Sequence, residues 1–404
     1  MPAAMATVPT TAALILAAGR GVRAGGDLAK QYRRLAGKPL LRWSAEALLR
    51  HPAVHKVHVV AAAGDRELAA AALAGLDVSI GVGGASRQQS VRLGLRQLEA
   101  HAPDRVLVHD AARPLLPAAM IDRVLGALDE APGACPALAV VDSLRRGGGY
   151  GGEYIEGEVP REGLWRAQTP QGFDYALLCA AHEAHHEAHH EAHARVAEGA
   201  TDDAELFRAA GHAVRIVAGD ERAMKVTNPG DFDLVARFLP WANVSGLGFD
   251  VHRFGDGGHV WLCGVAIPHA RGLVGHSDAD VGLHALTDAI LGALGAGDIG
   301  QHFPPADPRW KDASSDRFLA HAAQLVEEAG GRILHCDVTL ICEAPRIGPH
   351  RAAMLARLGD ILGRHAPRLN LKATTTEGLG FAGRREGIAA QALATLRLPD
   401  WSAL

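Results

Sequence analysis

Two groups of side chains in this 404-residue chain have the types and spacing that handle phosphates and metal ions. The first opens with Leu16-Ala17-Ala18-Gly19-Arg20-Gly21-Val22-Arg23 and continues to Lys30. A Gly-rich turn lets backbone N–H groups approach phosphate oxygens without interference from Cβ. Arg23 and Lys30 could then neutralise charge that builds on a phosphorus under attack. The turn lacks the GxxxxGK[ST] spacing, which disfavours a P-loop. Its plain alternative is a structural turn flanked by surface cations. The second group is Asp250-x-His252 followed by His276-Ser277-Asp278-Ala279-Asp280-Val281-Gly282-Leu283-His284. Side chains two apart on a strand point the same way, so Asp250 and His252 share a side. With His284 on a following helix they make a three-ligand zinc set whose fourth position stays open to substrate. The alternative is three satisfied polar residues in a core.

Further candidates flank each group. Asp110, in His109-Asp110-Ala111-Ala112-Arg113-Pro114, stands at a strand tip where it could hold Mg²⁺ beside substrate phosphates or cap the next helix. Lys225 is a third candidate cation or a surface lysine. In the second half, His276 and Ser277 precede a helix and could bind a phosphate at its N-terminus. Asp298, in Asp298-Ile299-Gly300, could accept hydrogen bonds from ribose hydroxyls or shape a turn. Thr374-Thr375-Thr376-Glu377 supplies hydroxyls and a carboxylate suited to diphosphate oxygens and a second divalent ion.

The elements that must hold these residues read as α/β. Apolar runs at 12–18, 56–63, 78–82 and 105–110 predict strands, and helical patterns at 40–49 and 89–100 lie between them. Such alternation predicts a mostly parallel sheet covered on both faces, with ligands beyond the carboxyl ends of the strands. Gly19, Gly83 and Asp110 fall at those ends. A helix over 231–239, then Pro240-Trp241-Ala242-Asn243 as punctuation and a strand from Gly246, place the boundary between domains at 1–240 and 244–404. A helix is expected from Val281 to Leu294, carrying His284. The run His182–His193, HEAHHEAHHEAH, reads as a solvated, low-complexity helical insertion, although histidines four apart on a helix could also bind metal.

Bulk composition narrows the class. A net charge of -4 excludes a surface that coats nucleic acid, so anion binding must come from local Arg and Lys clusters. The five cysteines show no CxxC spacing, as expected of reduced thiols in a cytoplasmic protein. Residues 12–18 are too short to span a bilayer, and no basic segment precedes them; neither a membrane nor a nucleic-acid partner is expected.

The segments LAAGRGVR, AKQY, GGASRQQSV, VHDAARP, REGLWRAQTPQ, TDDA and MKVTNPGD follow one another in the order of a known family. On these, residues 11–238 resemble the 2-C-methyl-D-erythritol 4-phosphate cytidylyltransferases. The resemblance implies a Rossmann-like domain using CTP, with Arg23 and Lys30 stabilising the pentavalent α-phosphorus and Asp110 near Mg²⁺. It implies that Arg161 and Lys225 handle the methylerythritol phosphate and transition-state charge, and that Ser90 with the Gly83-Gly84 turn forms the cytosine and ribose pocket. Ser143 stands where that family usually has Thr, keeping the phosphate-contacting hydroxyl, and Ala29 stands where Pro is common.

GFDVHRF, HSDADVGLHALTDAILGALGAGDIGQHFP, EAPRIGPH and KATTTEGLGFAGRREGIA give residues 245–401 a resemblance to the 2-C-methyl-D-erythritol 2,4-cyclodiphosphate synthases. It implies an α+β domain forming a homotrimer with active sites between subunits, zinc or another divalent ion at Asp250, His252 and His284, and Mg²⁺ near Glu377. It implies substrate contacts from His276, Ser277, Asp298 and Gly300, a cytosine loop at Ala344 and Arg346, and diphosphate contacts from Lys372, Thr374 and Thr375, with Phe381 and Arg384 close by in the same run. Cys342-Glu343 departs from the small or amide residues common there.

Together these readings imply a bifunctional enzyme of non-mevalonate isoprenoid synthesis. Its substrates are CTP, 2-C-methyl-D-erythritol 4-phosphate and 4-diphosphocytidyl-2-C-methyl-D-erythritol 2-phosphate. Trimer contacts through the second half, dimer contacts through the first, and association with the intervening pathway kinase are expectations of the same kind. A scaffold with one inactive half, or a sugar-phosphate nucleotidyltransferase fused to a zinc phosphohydrolase, is the competing reading.

Overall fold

The computed structural model describes residues 9–19, 28–148, 154–191, 202–275, 277–304, 313–363 and 368–400. The chain divides into two compact units, one ending at Phe238 and the other beginning at Leu239.

The first unit is built on β1 (Thr11–Ala17), β2 (Lys56–Ala61), β3 (Ser79–Val82), β4 (Arg105–Asp110), β5 (Gly133–Ala139), β6 (Trp165–Ala167), β7 (Gln171–Asp174) and β8 (Val214–Ala218). They form one sheet in the order β6-β5-β7-β4-β1-β2-β3, with β8 also paired to β5. The pairings of β1 with β2 and β4, and of β2 with β3, are parallel. Two strands run antiparallel to their neighbours: β7, between β4 and β5, and β6, on the edge beside β5. The continuous apolar run of β1 follows from burial on both faces. Ala13, Ile15 and Ala17 join one core with Leu41, Val57 and Met120, while Ala12 and Leu14 join another with Val91, Leu95 and Phe173. Helix α1 (Arg87–Leu98) starts where Ser86 accepts the Gln89 N–H, and α2 (Ala118–Ala127) buries Met120, Ile121 and Val124. A separate hairpin, Leu144–Gly148 with Tyr154–Val159, forms an arm off the sheet.

The histidine-rich helix, α3 (Tyr175–Glu191), is not wholly solvated. His182 is buried, with Nε2 3.1 Å from Asp203 at the start of α4 (Asp203–Ala209). Glu183 pairs with Arg92 and Arg96 of α1. The first residues of the repeat therefore face the domain, correcting the expectation of an all-solvent insertion; His193 lies outside the described residues.

The second unit carries β9 (Trp241–Gly255), β10 (Arg332–Ile341), β11 (Arg368–Thr374) and β12 (Gly387–Pro399) in the order β9-β12-β10-β11, with Gly272–Leu273 on the outer edge of β9. The segment read as punctuation is strand instead: Trp241 pairs with Pro399 and Asn243 with Arg397. A long antiparallel partner makes the extended conformation continuous from Trp241 onward. Helix α5 (Val281–Leu294) packs on one face of this sheet, and α6 (Asp316–Glu328) and α7 (Arg351–Leu362) complete the core. Two glycines permit the approach of α5. A Cβ on Gly246 would lie 2.1 Å from the Ala289 carbonyl, and one on Gly248 1.9 Å from that of Ala285. On the opposite face of β9, Leu247, Phe249 and Val251 are exposed, alongside Leu393 of β12. Among the described residues no helix is long and apolar enough to cross a membrane.

Candidate functional sites

In the first unit the loops past β1, β3 and β4 meet. Gln31 donates from Nε2 to the Ala17 and Gly19 carbonyls at 2.8 and 2.9 Å, pinning the start of the Gly-rich turn. Gly83 sits so close that a Cβ there would be 2.8 Å from the Ala18 methyl and 3.0 Å from Ser90 Oγ. Buried Ser90 accepts the Gly84 N–H at 3.0 Å and donates to the Ser86 carbonyl at 2.8 Å. Lys30 donates from Nζ to the Val226 carbonyl at 2.8 Å, one residue from Lys225.

Lys225 itself reaches Asp110 Oδ2 at 2.8 Å, while Arg87 and Arg113 stand 3.7 and 3.8 Å from the same carboxylate. Burial opposes ionisation of Asp110, yet the three cations outweigh it and hold its carboxyl well below the usual carboxylate range. The arrangement is a ring of positive charge about one acid at the carboxyl end of the sheet. Arg87 is also tied to buried Asp203 at 2.7 Å, which joins this ring to α4. Buried His109 accepts from Thr169 Oγ1 at 3.0 Å and donates to the Arg113 carbonyl at 3.1 Å, and burial draws its pKa down to about 4. It is a neutral strut beneath Asp110.

Arg161 and Ser143 lie apart from this ring, exposed at the base of the arm, where Arg161 donates to the Val141 carbonyl. Arg23 lies outside the described residues.

In the second unit the strand and helix bring their three expected residues together. Asp250 Oδ2 is 2.9 Å from His284 Nδ1 and 3.1 Å from His252 Nε2, and the two nitrogens are 3.2 Å apart. The carbonyl of Val274, 3.0 Å from His252 Nδ1, can only accept, so that nitrogen carries a proton and Nε2 is the atom left to ligate a cation beside Asp250. Donor atoms of this kind crowd together around a cation. Among the described residues these three form the only cluster of His, Cys, Asp or Glu able to hold a metal ion. The absent side chain at Gly248 sets the geometry by letting α5 bring His284 against β9. Asp280 anchors the helix start, accepting the N–H groups of Cys263, Gly264, Gly282 and Leu283 at 2.6–3.1 Å. Ser277 Oγ lies 3.1 Å from His284 Nε2. His276 lies outside the described residues.

The sequence model of the 2-C-methyl-D-erythritol 4-phosphate cytidylyltransferase family matches residues 11–240, and that of the YgbB family matches residues 244–397. A protein of Rhodospirillum rubrum named bifunctional enzyme IspD/IspF is 54% identical over 96% of this chain and 99% of its own. The chain belongs to the bifunctional IspD/IspF family. A second such relative, from Rhizorhabdus wittichii, is 52% identical over 97% of this chain and 99% of its own. A solved structure of bifunctional IspDF from Campylobacter jejuni is 32% identical, covering 97% of this chain and 100% of that one, with a TM-score of 0.48. As an IspD/IspF protein the chain is a bifunctional enzyme of isoprenoid-precursor synthesis, a cytidylyltransferase and a cyclodiphosphate synthase, acting on small-molecule substrates.

The remaining expected residues of this IspD/IspF chain are spread over its second unit. Asp298 accepts the Gln301 N–H at 2.9 Å and caps the short helix holding Gly300, the turn-forming role. Thr375 donates to Glu377 Oε1 at 2.9 Å, both exposed, and Thr374 to the Thr375 carbonyl at 3.1 Å. Lys372 pairs with Asp337 and Arg384 with Glu386. Phe381 is 38% exposed, and Arg346 lies exposed just after Ala344. Glu343, a departure from the usual residues, accepts the Thr376 N–H at 3.1 Å and so steadies the Thr374–Glu377 loop. Burial, with Glu343 beside it, pushes the Cys342 thiol up to about 11, so it is a neutral thiol outside the metal cluster.

Five residues that the sequence reading did not single out belong to these sites: Gln31, Arg87, Arg113, Asp203 and Ser315. The first four stand inside the motif segments AKQY, GGASRQQSV, VHDAARP and TDDA; Ser315 has no such signal.

Proposed function

We propose that residues 1–240 and 244–404 each carry one activity at its own site, and that the close set of Asp250, His252 and His284 is what makes the second half catalytic. In the first half a phosphate oxygen of 2-C-methyl-D-erythritol 4-phosphate attacks the α-phosphorus of CTP. The bond from that phosphorus to the bridging oxygen breaks and diphosphate leaves. No side chain needs to become covalently attached, so positioning and charge do the work. Arg23, Lys30 and Lys225 offset charge on the α-phosphate. Gly19 and Gly83 bring backbone to the nucleotide, Ser90 shapes the base and ribose pocket, and Arg161 and Ser143 receive the methylerythritol phosphate. Asp110 would hold a magnesium ion beside the triphosphate, and the Lys225 amine, 2.8 Å from the same carboxylate, stands ready for the phosphates. When bound, Mg²⁺ supplies charge neutralisation at the phosphate oxygens.

In the second half the 2-phosphate attacks the β-phosphorus of 4-diphosphocytidyl-2-C-methyl-D-erythritol 2-phosphate and CMP leaves. Asp250, His252 and His284 would hold zinc, which supplies a Lewis acid and a template for two mutually repelling phosphates. His276 and Ser277 contact the phosphate, Asp298 and Gly300 the substrate's hydroxyls, Ala344 and Arg346 the cytosine. Lys372, Thr374 and Thr375 contact the diphosphate, with Glu377 near a Mg²⁺ ion and Phe381 and Arg384 bordering the loop.

The exposed stripe of Leu247, Phe249, Val251 and Leu393 supports a homotrimer through the second half, and exposed Tyr154 and Ile155 on the arm support dimer contacts through the first. The five free thiols suit the cytoplasm. The product of the first half must be phosphorylated before the second can use it. A kinase therefore stands between the two steps, and its association with this chain is tested by co-sedimentation at micromolar concentration.

Product analysis tests the function. CTP with 2-C-methyl-D-erythritol 4-phosphate should release diphosphate, with UTP a poor replacement. Equal turnover of UTP and a sugar phosphate would favour the competing nucleotidyltransferase.

A further inference from the structure

We propose that Ser315, backed by Asp278, is the positioning residue that fixes His284 as a metal ligand; the proposal rests on the metal reading of Asp250, His252 and His284. Ser315 occupies the N-cap of α6, where a serine hydroxyl ordinarily accepts a backbone N–H of the first turn. Its hydroxyl makes no such bond. It is fully buried and turned toward the metal cluster, with Oγ 2.8 Å from His284 Nε2.

The direction of each hydrogen bond follows from what its partners can do. The Asp278 carboxylate accepts: its Oδ2 takes the Ser315 N–H at 3.0 Å and its Oδ1 takes the Asp280 N–H at 3.3 Å. The same Oδ1 takes the Ser315 hydroxyl proton. Ser315 Oγ is thereby left as an acceptor toward His284, whose Nε2 must carry the proton. His284 Nδ1 is then the atom left to ligate a cation beside Asp250 and His252. Carboxylate, hydroxyl and imidazole form a directed chain ending on the ligand atom, the arrangement by which outer groups set ligand tautomer and basicity.

Ser277 Oγ is 0.3 Å farther than Ser315 from the same nitrogen, at 3.1 against 2.8 Å, and among the described residues no carboxylate hydrogen-bonds to it as Asp278 does to Ser315. With Ser315 holding the imidazole, Ser277 can turn to a phosphate oxygen without releasing His284.

The test uses the full chain, Ser315→Ala, Ser315→Thr and Asp278→Asn, with zinc(II) titrated against a chromophoric chelator and the His284 ring nitrogens followed by NMR in the metal-free protein. Ser315→Ala should weaken zinc binding by about ten- to a hundredfold and lose the single Nε2–H tautomer, while an unchanged amide NMR spectrum away from the site reports an intact second unit. Ser315→Thr should restore most of the affinity, and Asp278→Asn should fall between. Zinc affinity within about twofold of the unaltered chain, together with an unchanged tautomer in Ser315→Ala, would overturn the proposal. Failure of the unaltered chain to bind zinc would instead overturn the metal reading, and the tautomer would still decide what Ser315 does.

Discussion

His284 Nδ1 lies 2.9 Å from Asp250 Oδ2, although 34 residues separate them and one sits on a helix and the other on a strand. The contact exists because β9 offers glycine at 246 and 248, where the backbone of α5 lies against it. The metal reading makes this pair, with His252, a cation site. Dialysis against a strong chelator should therefore remove one zinc per chain and silence cyclisation, and added zinc should restore it. Cytidylyl transfer assayed with fresh Mg²⁺ should be unchanged by the same treatment. Full cyclisation in protein shown by elemental analysis to be free of metal would refute the assignment.

Gly248→Ala should damage the second unit selectively. Its new methyl would meet a backbone carbonyl at 1.9 Å, which no rotamer change relieves. The helix must shift, at a cost of about 1–3 kcal/mol, and with it His284. Cyclisation should fall at least tenfold while cytidylyl transfer persists. Unaltered cyclisation and thermal unfolding in this variant would show that the close approach is not needed.

Asp203→Asn should destabilise the first unit by roughly 3–5 kcal/mol, because it strips a buried partner from Arg87. Burial opposes the Asp203 charge, but Arg87 and His182 outweigh it, so its folded pKa lies below the ordinary 3.8. As pH falls the unfolded chain takes up this proton first. The stabilisation is complete above about pH 4 and is lost as pH drops through the folded value. Denaturant melts should show a wide gap between the two proteins at pH 7 that narrows below about pH 4. A gap independent of pH would mean that the charge of Asp203 does not matter.

Phe249→Glu should break the proposed trimer by placing charge in the exposed apolar stripe. Sedimentation should move from trimer to smaller species, with cyclisation lost and the fold of each unit retained by circular dichroism. A variant that still sediments as the unaltered chain would move the interface elsewhere.

Much of this was legible in residue order. Apolar-run patterns located β1 to β4 within two residues at either end, because β1, β2 and β4 are central and largely buried and even the edge strand β3 ends at a glycine pair. Asp250-x-His252 and the helix from Val281 were legible for the same reason: alternation on a strand and a capped helix start fix where side chains point. What stayed hidden depended on contacts between distant segments. Trp241–Asn243 reads as a break until its partner strand at 397–399 is known. His182 reads as one of a repeat until Asp203 packs against it. Nothing in the local sequence at Ser315 signals that its hydroxyl serves His284 rather than its own helix.

The proposed function gives one chain two sites that work independently. The most direct test follows both reactions by phosphorus NMR in Lys30→Ala and His252→Ala, beside the unaltered chain, with Mg²⁺ and Zn²⁺ present. Lys30→Ala should release no diphosphate from CTP and 2-C-methyl-D-erythritol 4-phosphate, yet still form the cyclic diphosphate and CMP. His252→Ala should do the reverse and lose its zinc. Equal loss of both reactions in either variant would contradict the independence of the sites.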